Sequence, residues 1–339
     1  MAGTTQALGA RYPRTGGDIS EPNAADLGLA RSAEPVRGKY WRSASLTREQ
    51  LHRTRFTAIP RVWLRGFDFH AVSESRVISM MLNELEQGRG GTVVTPNLHI
   101  LRLCCRNQEV ADLVKSADIR TADGMPLIWA SRMQRTPLPE RVAGSSLIYT
   151  LPEAAAKRGK SIFFLGGNPG TAEACAAKLK ELNPDLEVAG TLCPPYGFDS
   201  DPMELSKIYS AVQEAEPDIV FVALGCPKQE RLMRSLYRRM PETWFLGVGY
   251  SFSFVAGEAV RAPEWVQRLG FEWFHRLTQE PMRLFRRYFV EGIPFFGHMV
   301  ARSAVKRFLP LSWRRYDERL SLERGDHGEG PMLALEATA

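Results

Sequence analysis

Several of the features that define whole classes of protein are missing from this sequence. It has only five cysteines in 339 residues: Cys104, Cys105, Cys175, Cys193 and Cys226. None forms a C-x-x-C pair, and an odd number without a leader fits a reducing compartment. Cys and His spacing matches no zinc template, so no metal ligands are expected. The opening MAGTTQALGARYPRTGG lacks the apolar segment of a secretory leader. No window reaches the roughly 18 uncharged apolar residues of a spanning helix. The most apolar late stretch, Ile293 to Ala301, is short and contains His298. No internal repeat is visible. An acidic excess is lacking too, since 44 Lys and Arg against 38 Asp and Glu leave a net charge of +6. What is present is an apolar share of 44% with 10% aromatics, enough for a sizeable core, which excludes a wholly disordered or collagenous chain.

Residues 1–58 are rich in Gly, Ala, Arg, Ser, Thr and Pro without periodicity and read as a disordered extension, as does the tail 317–339. Between them, apolar runs alternate with helical patterns. Thr92–Thr95, Ser161–Leu165, Leu186–Gly190, Asp218–Leu224 and Trp244–Val248 read as strands. Helical patterns run from Leu98 to about Val114, Ser146 to Lys157, Thr171 to Leu182 and Lys228 to Arg239. Unbroken apolar strands alternating with helices predict an α/β fold over 59–260, a parallel sheet with helices on both faces. Residues 261–316 are helical, aromatic and arginine-rich, and predict a helical C-terminal appendage.

In parallel sheets, ligands sit beyond the carboxyl ends of the strands, so the loops there carry the chemistry. Gly166-Gly167-x-x-Gly170 links a strand to a helix and suits a diphosphate, because glycines admit close approach and the helix start offers free N–H groups. It is also an ordinary tight turn, and it is not the full G-x-G-x-x-G fingerprint of a dinucleotide site. Gln229 lies in the first turn of the helix that follows Gly225-Cys226-Pro227, where it either caps or reaches a sugar or base. In Thr95-Pro96-Asn97, Asn97 is an N-cap or a pocket amide. Asp123, before Gly124, is a turn residue or a general base. Arg141, ahead of Gly144-Ser145, is a surface ion-pair partner or a phosphate clamp. Asp199-Ser200-Asp201 has the D-x-D spacing of some metal-dependent transferases, but fits a turn and helix cap better.

Six stretches in order, TPNLHILRLC, ADIRTADGMPLIWASR, PLPERVAGSSLI, FFLGGNPGTAE, DIVFVALGCPKQERLM and RAPEWVQRLGFEWFHRLTQEPMRLFRRY, resemble the WecG/TagA/CpsF family of glycosyltransferases, glycosyltransferase family 26. The resemblance runs from about Arg61 to about Arg302. It implies a Rossmann-like catalytic domain with a helical appendage. It also implies inverting, metal-independent transfer of a sugar from a UDP-sugar to an undecaprenyl-diphosphate-linked acceptor, without a cofactor, in assembly of a bacterial surface polysaccharide. By motif, Asp123 resembles the catalytic base and Thr95 and Asn97 resemble pocket residues beside it. Arg141, the Gly144 loop, Gly166, Gly167 and Gln229 resemble donor or acceptor contacts, and Arg276, Arg283 and Arg286 resemble diphosphate-binding arginines. Spacings of seven and three put those arginines on one helical face if a single helix runs through Pro281. The chain departs from the family after the last strand, where Tyr250 stands for a Gly and Ser253 for an Asp. That departure keeps a rival in view: a non-catalytic subunit that presents lipid substrate to, or enhances, a partner transferase. A nicotinamide-dependent oxidoreductase is a weaker rival.

The surplus charge is concentrated. From Arg261 to Tyr316 eleven Lys and Arg face four Glu, interleaved with aromatics such as Trp273, Phe285 and Phe289. Basic and aromatic residues together suit an anionic membrane surface. The expected location is therefore cytoplasmic, held peripherally at the inner face of the plasma membrane. No nucleic-acid motif accompanies the charge, so nucleic acid is not an expected partner. A homo-oligomer is compatible with the sequence.

Overall fold

The computed structural model describes residues 55–263, 266, 272–279 and 281–308. Most of the predicted N-terminal extension and all of the predicted tail 317–339 lie outside the described residues. Phe56, inside the stretch read as extension, packs on Trp244 with ring centroids 6.3 Å apart.

Strands β1 (Arg61–Leu64) and β2 (Phe67–His70) form an antiparallel hairpin, followed by α1 (Glu74–Leu85). Then come β3 (Gly91–Val94), α2 (Leu98–Cys104), α3 (Gln108–Lys115), β4 (Ile119–Arg120), α4 (Met125–Met133) and α5 (Gly144–Ala156). They are followed by β5 (Ser161–Gly166), α6 (Thr171–Leu182), β6 (Glu187–Leu192), α7 (Pro202–Ala215), β7 (Ile219–Ala223), α8 (Lys228–Arg239), β8 (Trp244–Gly247) and α9 (Ser251–Val255). The C-terminal elements are α10 (Glu272–Gln279), α11 (Pro281–Phe285), a wider π-type turn (Arg286–Gly292) and α12 (Ile293–Lys306). The helix expected from Leu98 to Val114 is two helices, because Asn107 interrupts it and accepts from the Val110 amide at 3.2 Å as a cap.

Six strands form one parallel sheet in the order β4-β3-β8-β7-β5-β6. Successive strand residues point to opposite faces, so each apolar strand feeds two cores. Val93, Ile162, Phe164, Ile219, Phe221 and Leu246 join one core with α1, α5, α6 and α9. Val94, Phe163, Leu165, Val220, Val222 and Phe245 join the other, with α2, α3, α4, α7, α8 and α12. Burial of each such side chain contributes roughly 1.5–3 kcal/mol, which fixes strand register firmly. The fold is thus the Rossmann-like parallel sheet expected, helices on both faces, with further helices at its C-terminal end.

The chain leaves β3 towards one face, through α2, and leaves β8 towards the other, through α9. These two strands are neighbours. Loops diverging from adjacent parallel strands open a crevice at their carboxyl ends.

The C-terminal helices pack on the second core. Met299 is buried, Phe296 meets Trp129 at 6.2 Å, and Arg102 donates to Glu291 at 2.8 Å.

Candidate active site

Backbone bonds stitch the crevice loops together. The Thr121 amide donates to Val94 O at 3.0 Å, and the Asp123 amide donates to Pro96 O at 3.0 Å. The Val142 amide donates to Ala122 O at 3.1 Å, and Thr121 Oγ1 donates to Val142 O at 3.0 Å. Thr95, Asn97, Asp123, Arg141 and Gly144 are therefore brought to one place. Asn97 Oδ1 accepts from the His99 and Ile100 amides, 3.1 Å each, so its carbonyl caps α2. At Gly144 the start of α5 comes so close to β8 that a Cβ would lie 3.0 Å from Val248 Cα and 3.5 Å from Thr95 Oγ1.

Asp123 lies among these loops, with its side chain 26% exposed. Burial pushes its carboxyl up to about 6; Glu272 adds to the rise, while Arg141, Arg276 and Arg261 oppose it. A carboxylate that titrates near neutrality accepts a proton well at physiological pH. Arg141 Nη1 lies 4.0 Å from Asp123 Oδ1 and 2.7 Å from Glu272 Oε2. Arg261 donates to Ser146 Oγ at 3.1 Å, at the start of α5. Arg276 stacks on Tyr250 and Phe254, 5.5 and 5.3 Å from the ring centroids. Three guanidiniums around one carboxylate form a surface suited to phosphate oxygens.

The Gly166-Gly167 loop is tight for a structural reason. A Cβ on Gly166, whose φ is 112°, would lie 2.5 Å from Ala223 O. Over the start of α6 stands Glu258, which accepts from Thr171 Oγ1, from Ser253 Oγ at 2.9 Å and from Asn168 Nδ2 at 3.4 Å. An acid thus occupies the positive helix end where the sequence suggested a phosphate. Gln229 is buried against β8, donating from Nε2 to Glu230 Oε1 at 2.8 Å. Its own Oε1 is buried and has no hydrogen-bond partner among the described residues.

The two carboxylates of the D-x-D triplet are otherwise engaged. Asp199 pairs with Lys228 at 2.7 Å, and Asp201 caps α7 by accepting from the Met203 amide at 2.8 Å. Among the described residues, no group of three or more His, Cys, Asp or Glu is arranged to hold a metal ion.

The three appendage arginines occupy different settings. Arg276 faces the crevice, and Arg283 falls on α11. Arg286 is 83% exposed, with Nε 3.5 Å from Glu291. Outside this set, Arg261, Glu272, Glu258 and the Tyr250 ring line the site without having been singled out for it. Glu272 was legible only as one of four acids in a basic segment, and Tyr250 only as a departure. No helix among the described residues is long and apolar enough to cross a membrane.

Residues 62–308 match the model of the family described as "Glycosyl transferase WecG/TagA/CpsF family". A protein of Bacillus subtilis (strain 168) named N-acetylglucosaminyldiphosphoundecaprenol N-acetyl-beta-D-mannosaminyltransferase is 30% identical over 199 residues, 59% of this chain and 75% of the relative. A protein of the same name from Bacillus spizizenii (strain ATCC 23059 / NRRL B-14472 / W23) is 31% identical over the same shares. The chain belongs to the WecG/TagA/CpsF family of glycosyltransferases.

Proposed function

We propose that the protein transfers a sugar from a UDP-sugar to the N-acetylglucosaminyl-diphospho-undecaprenol type of acceptor that its relatives' names specify, with inversion at the anomeric carbon. The observation that carries this reading is Asp123, in the loop after β4, with Arg141 Nη1 4.0 Å from its Oδ1 and the charges of Arg261 and Arg276 also acting on it; burial raises its carboxyl to about 6. Asp123 takes the proton of the acceptor hydroxyl as its oxygen attacks the anomeric carbon. The bond from that carbon to the UDP oxygen breaks, and the electron pair leaves with the diphosphate. Arg141 and Arg276 stabilise the charge that develops there, so one carboxylate and fixed cations supply both needs of a direct displacement.

The exposed side of the C-terminal helices supports attachment to the bilayer that carries the acceptor. Phe274, Met282, Phe285, Phe289 and Val290 are exposed on these helices, as is Arg286, and Phe285 stacks on Phe289. Exposed aromatic and basic side chains on the same segment suit the headgroup region of an anionic leaflet. The protein then works peripherally at the cytoplasmic face, in synthesis of a surface polysaccharide.

A screen of UDP-sugars with purified protein and N-acetylglucosaminyl-diphospho-undecaprenol tests the reading. Product with at least one donor supports it. No product with any donor, but stimulation of a partner transferase, would favour the non-catalytic subunit instead.

A further inference from the structure

Two carboxylates compete for Arg141. Its Nη1 is 2.7 Å from Glu272 Oε2 and 4.0 Å from Asp123 Oδ1, and the three side chains are only 17, 16 and 26% exposed, so solvent screens them weakly. Asp123 comes from the loop after β4, while Glu272 opens α10, 131 residues beyond Arg141. The short contact goes to Glu272, which leaves Asp123 within Coulomb range but beyond hydrogen-bond reach. A hydrogen-bonded guanidinium stabilises a carboxylate and makes it a poorer proton acceptor. If Arg141 closed onto Asp123, it would also cover the oxygen that must meet the acceptor hydroxyl.

We infer that Glu272 is a positioning residue for sugar transfer: it draws Arg141 away from Asp123 and aims it along the crevice rim. The inference rests on the reading of Asp123 as base, and it gives the C-terminal helices a part in the chemistry itself. The other charges around Asp123 are Arg261, from the segment after α9, and Arg276, one turn from Glu272 on α10; both favour its ionised form. Glu74 of α1 also feels Arg141 and Arg261, while Glu140 accepts from the Glu74 amide at 2.6 Å. The Thr95-Pro96-Asn97 loop brings no ionisable group. Of these groups, only Glu272 makes a short contact with Arg141 and also pushes the Asp123 carboxyl upward.

The test compares the wild type with Glu272→Gln, Glu272→Asp and Asp123→Asn. One readout is the pH profile of turnover on UDP-N-acetylmannosamine and N-acetylglucosaminyl-diphospho-undecaprenol. The other, independent of the donor, is the ¹³C-carboxyl titration of Asp123, its resonance identified by loss in Asp123→Asn. Glu272→Gln should titrate about one pH unit lower than the wild type, and turnover at pH 7.5 should fall about tenfold with KM within about twofold. Glu272→Asp should return both towards the wild type, and Glu272→Ala, with the same shift expected, replaces the Gln variant if that does not fold. An unmoved titration and acid limb, with only KM or melting temperature changed, would overturn the inference and leave Glu272 a structural tie. Full activity in Asp123→Asn would instead defeat the base reading, so the two failures are distinguishable.

Discussion

Ser253 donates its hydroxyl to Glu258 at 2.9 Å, and Ser253 is buried at 3% exposure. The pair joins α9 to the Gly167 loop, and a second acid at position 253 would meet Glu258 as a like charge. Ser253→Asp should therefore cost about 1–3 kcal/mol at pH 7. The new carboxyl would be raised in the folded state, so its destabilisation grows as pH rises and shrinks towards pH 5. Melting temperatures of the variant and the wild type at pH 5 and 8 check this. An equal deficit at both would count against it.

Arg276 and Arg286 sit in different settings, and their losses should separate. Arg276 stacks on Tyr250 and Phe254 at the crevice, so Arg276→Ala should lower kcat/KM by about 10–100-fold, the value of one or two charge-assisted bonds. Its binding to anionic vesicles should be nearly unchanged. Arg286 is largely exposed, so Arg286→Ala should weaken vesicle binding by about 1 kcal/mol, roughly fivefold, an effect erased by salt. Its turnover in detergent should be that of the wild type.

Gly144 lets α5 start against β8. A Cβ there meets Val248 Cα at 3.0 Å and Gly247 O at 3.2 Å, so backbone must yield by a few tenths of an ångström. Gly144→Ala should lower kcat about tenfold through misplacement of Arg141 and Asp123, with a stability loss of about 1 kcal/mol. Steady-state kinetics and a thermal melt read the two effects separately.

His70 predicts acid sensitivity. It is 1% exposed, and its Nδ1 accepts from the Arg120 amide at 3.0 Å. Burial first, then Arg120 and Arg61, pushes its ring down to about 3 from an ordinary value of 6.5. Below about 6.5 the unfolded chain takes up a proton that the folded chain does not, so stability falls as pH falls towards 3. Burial raises the Asp68 carboxyl, but its ion pairs with Arg120 and Arg61 together outweigh that and hold it low, so it adds its own loss only below the ordinary carboxylate range. The wild type should lose more melting temperature between pH 7.5 and 5 than His70→Gln, which keeps an acceptor for the Arg120 amide.

Which parts of this molecule could be read in advance follows from where each residue finds its partners. β5, β7 and β8 are buried on both sides, so they appear as unbroken apolar runs. Thr95 follows β3, Asp123 follows β4 and Arg141 precedes α5; local pattern left each with an ordinary turn, cap or ion-pair reading, and the family resemblance marked them for the site. The β1–β2 hairpin was not legible, because its buried Asp68 and His70 break the apolar alternation. β4 is only two residues long. The Glu272–Arg141 pair and the Glu258–Thr171 hydrogen bond join segments far apart in the chain, and only the folded arrangement of loops brings them together. The arginines spaced by seven and three share a face only if one helix runs through Pro281. α10 ends at Gln279 and α11 begins at Pro281, so Arg276 beside Tyr250 and the exposed Arg286 lie on separate elements.

Single-turnover transfer by Asp123→Asn tests the central claim most directly. The substitution keeps the size of the side chain and removes the proton acceptor. The expected result is a loss of about 10²–10⁴-fold in the transfer rate, with UDP binding and melting temperature close to the wild type. A transfer rate within a few-fold of the wild type in a folded Asp123→Asn protein would contradict the account.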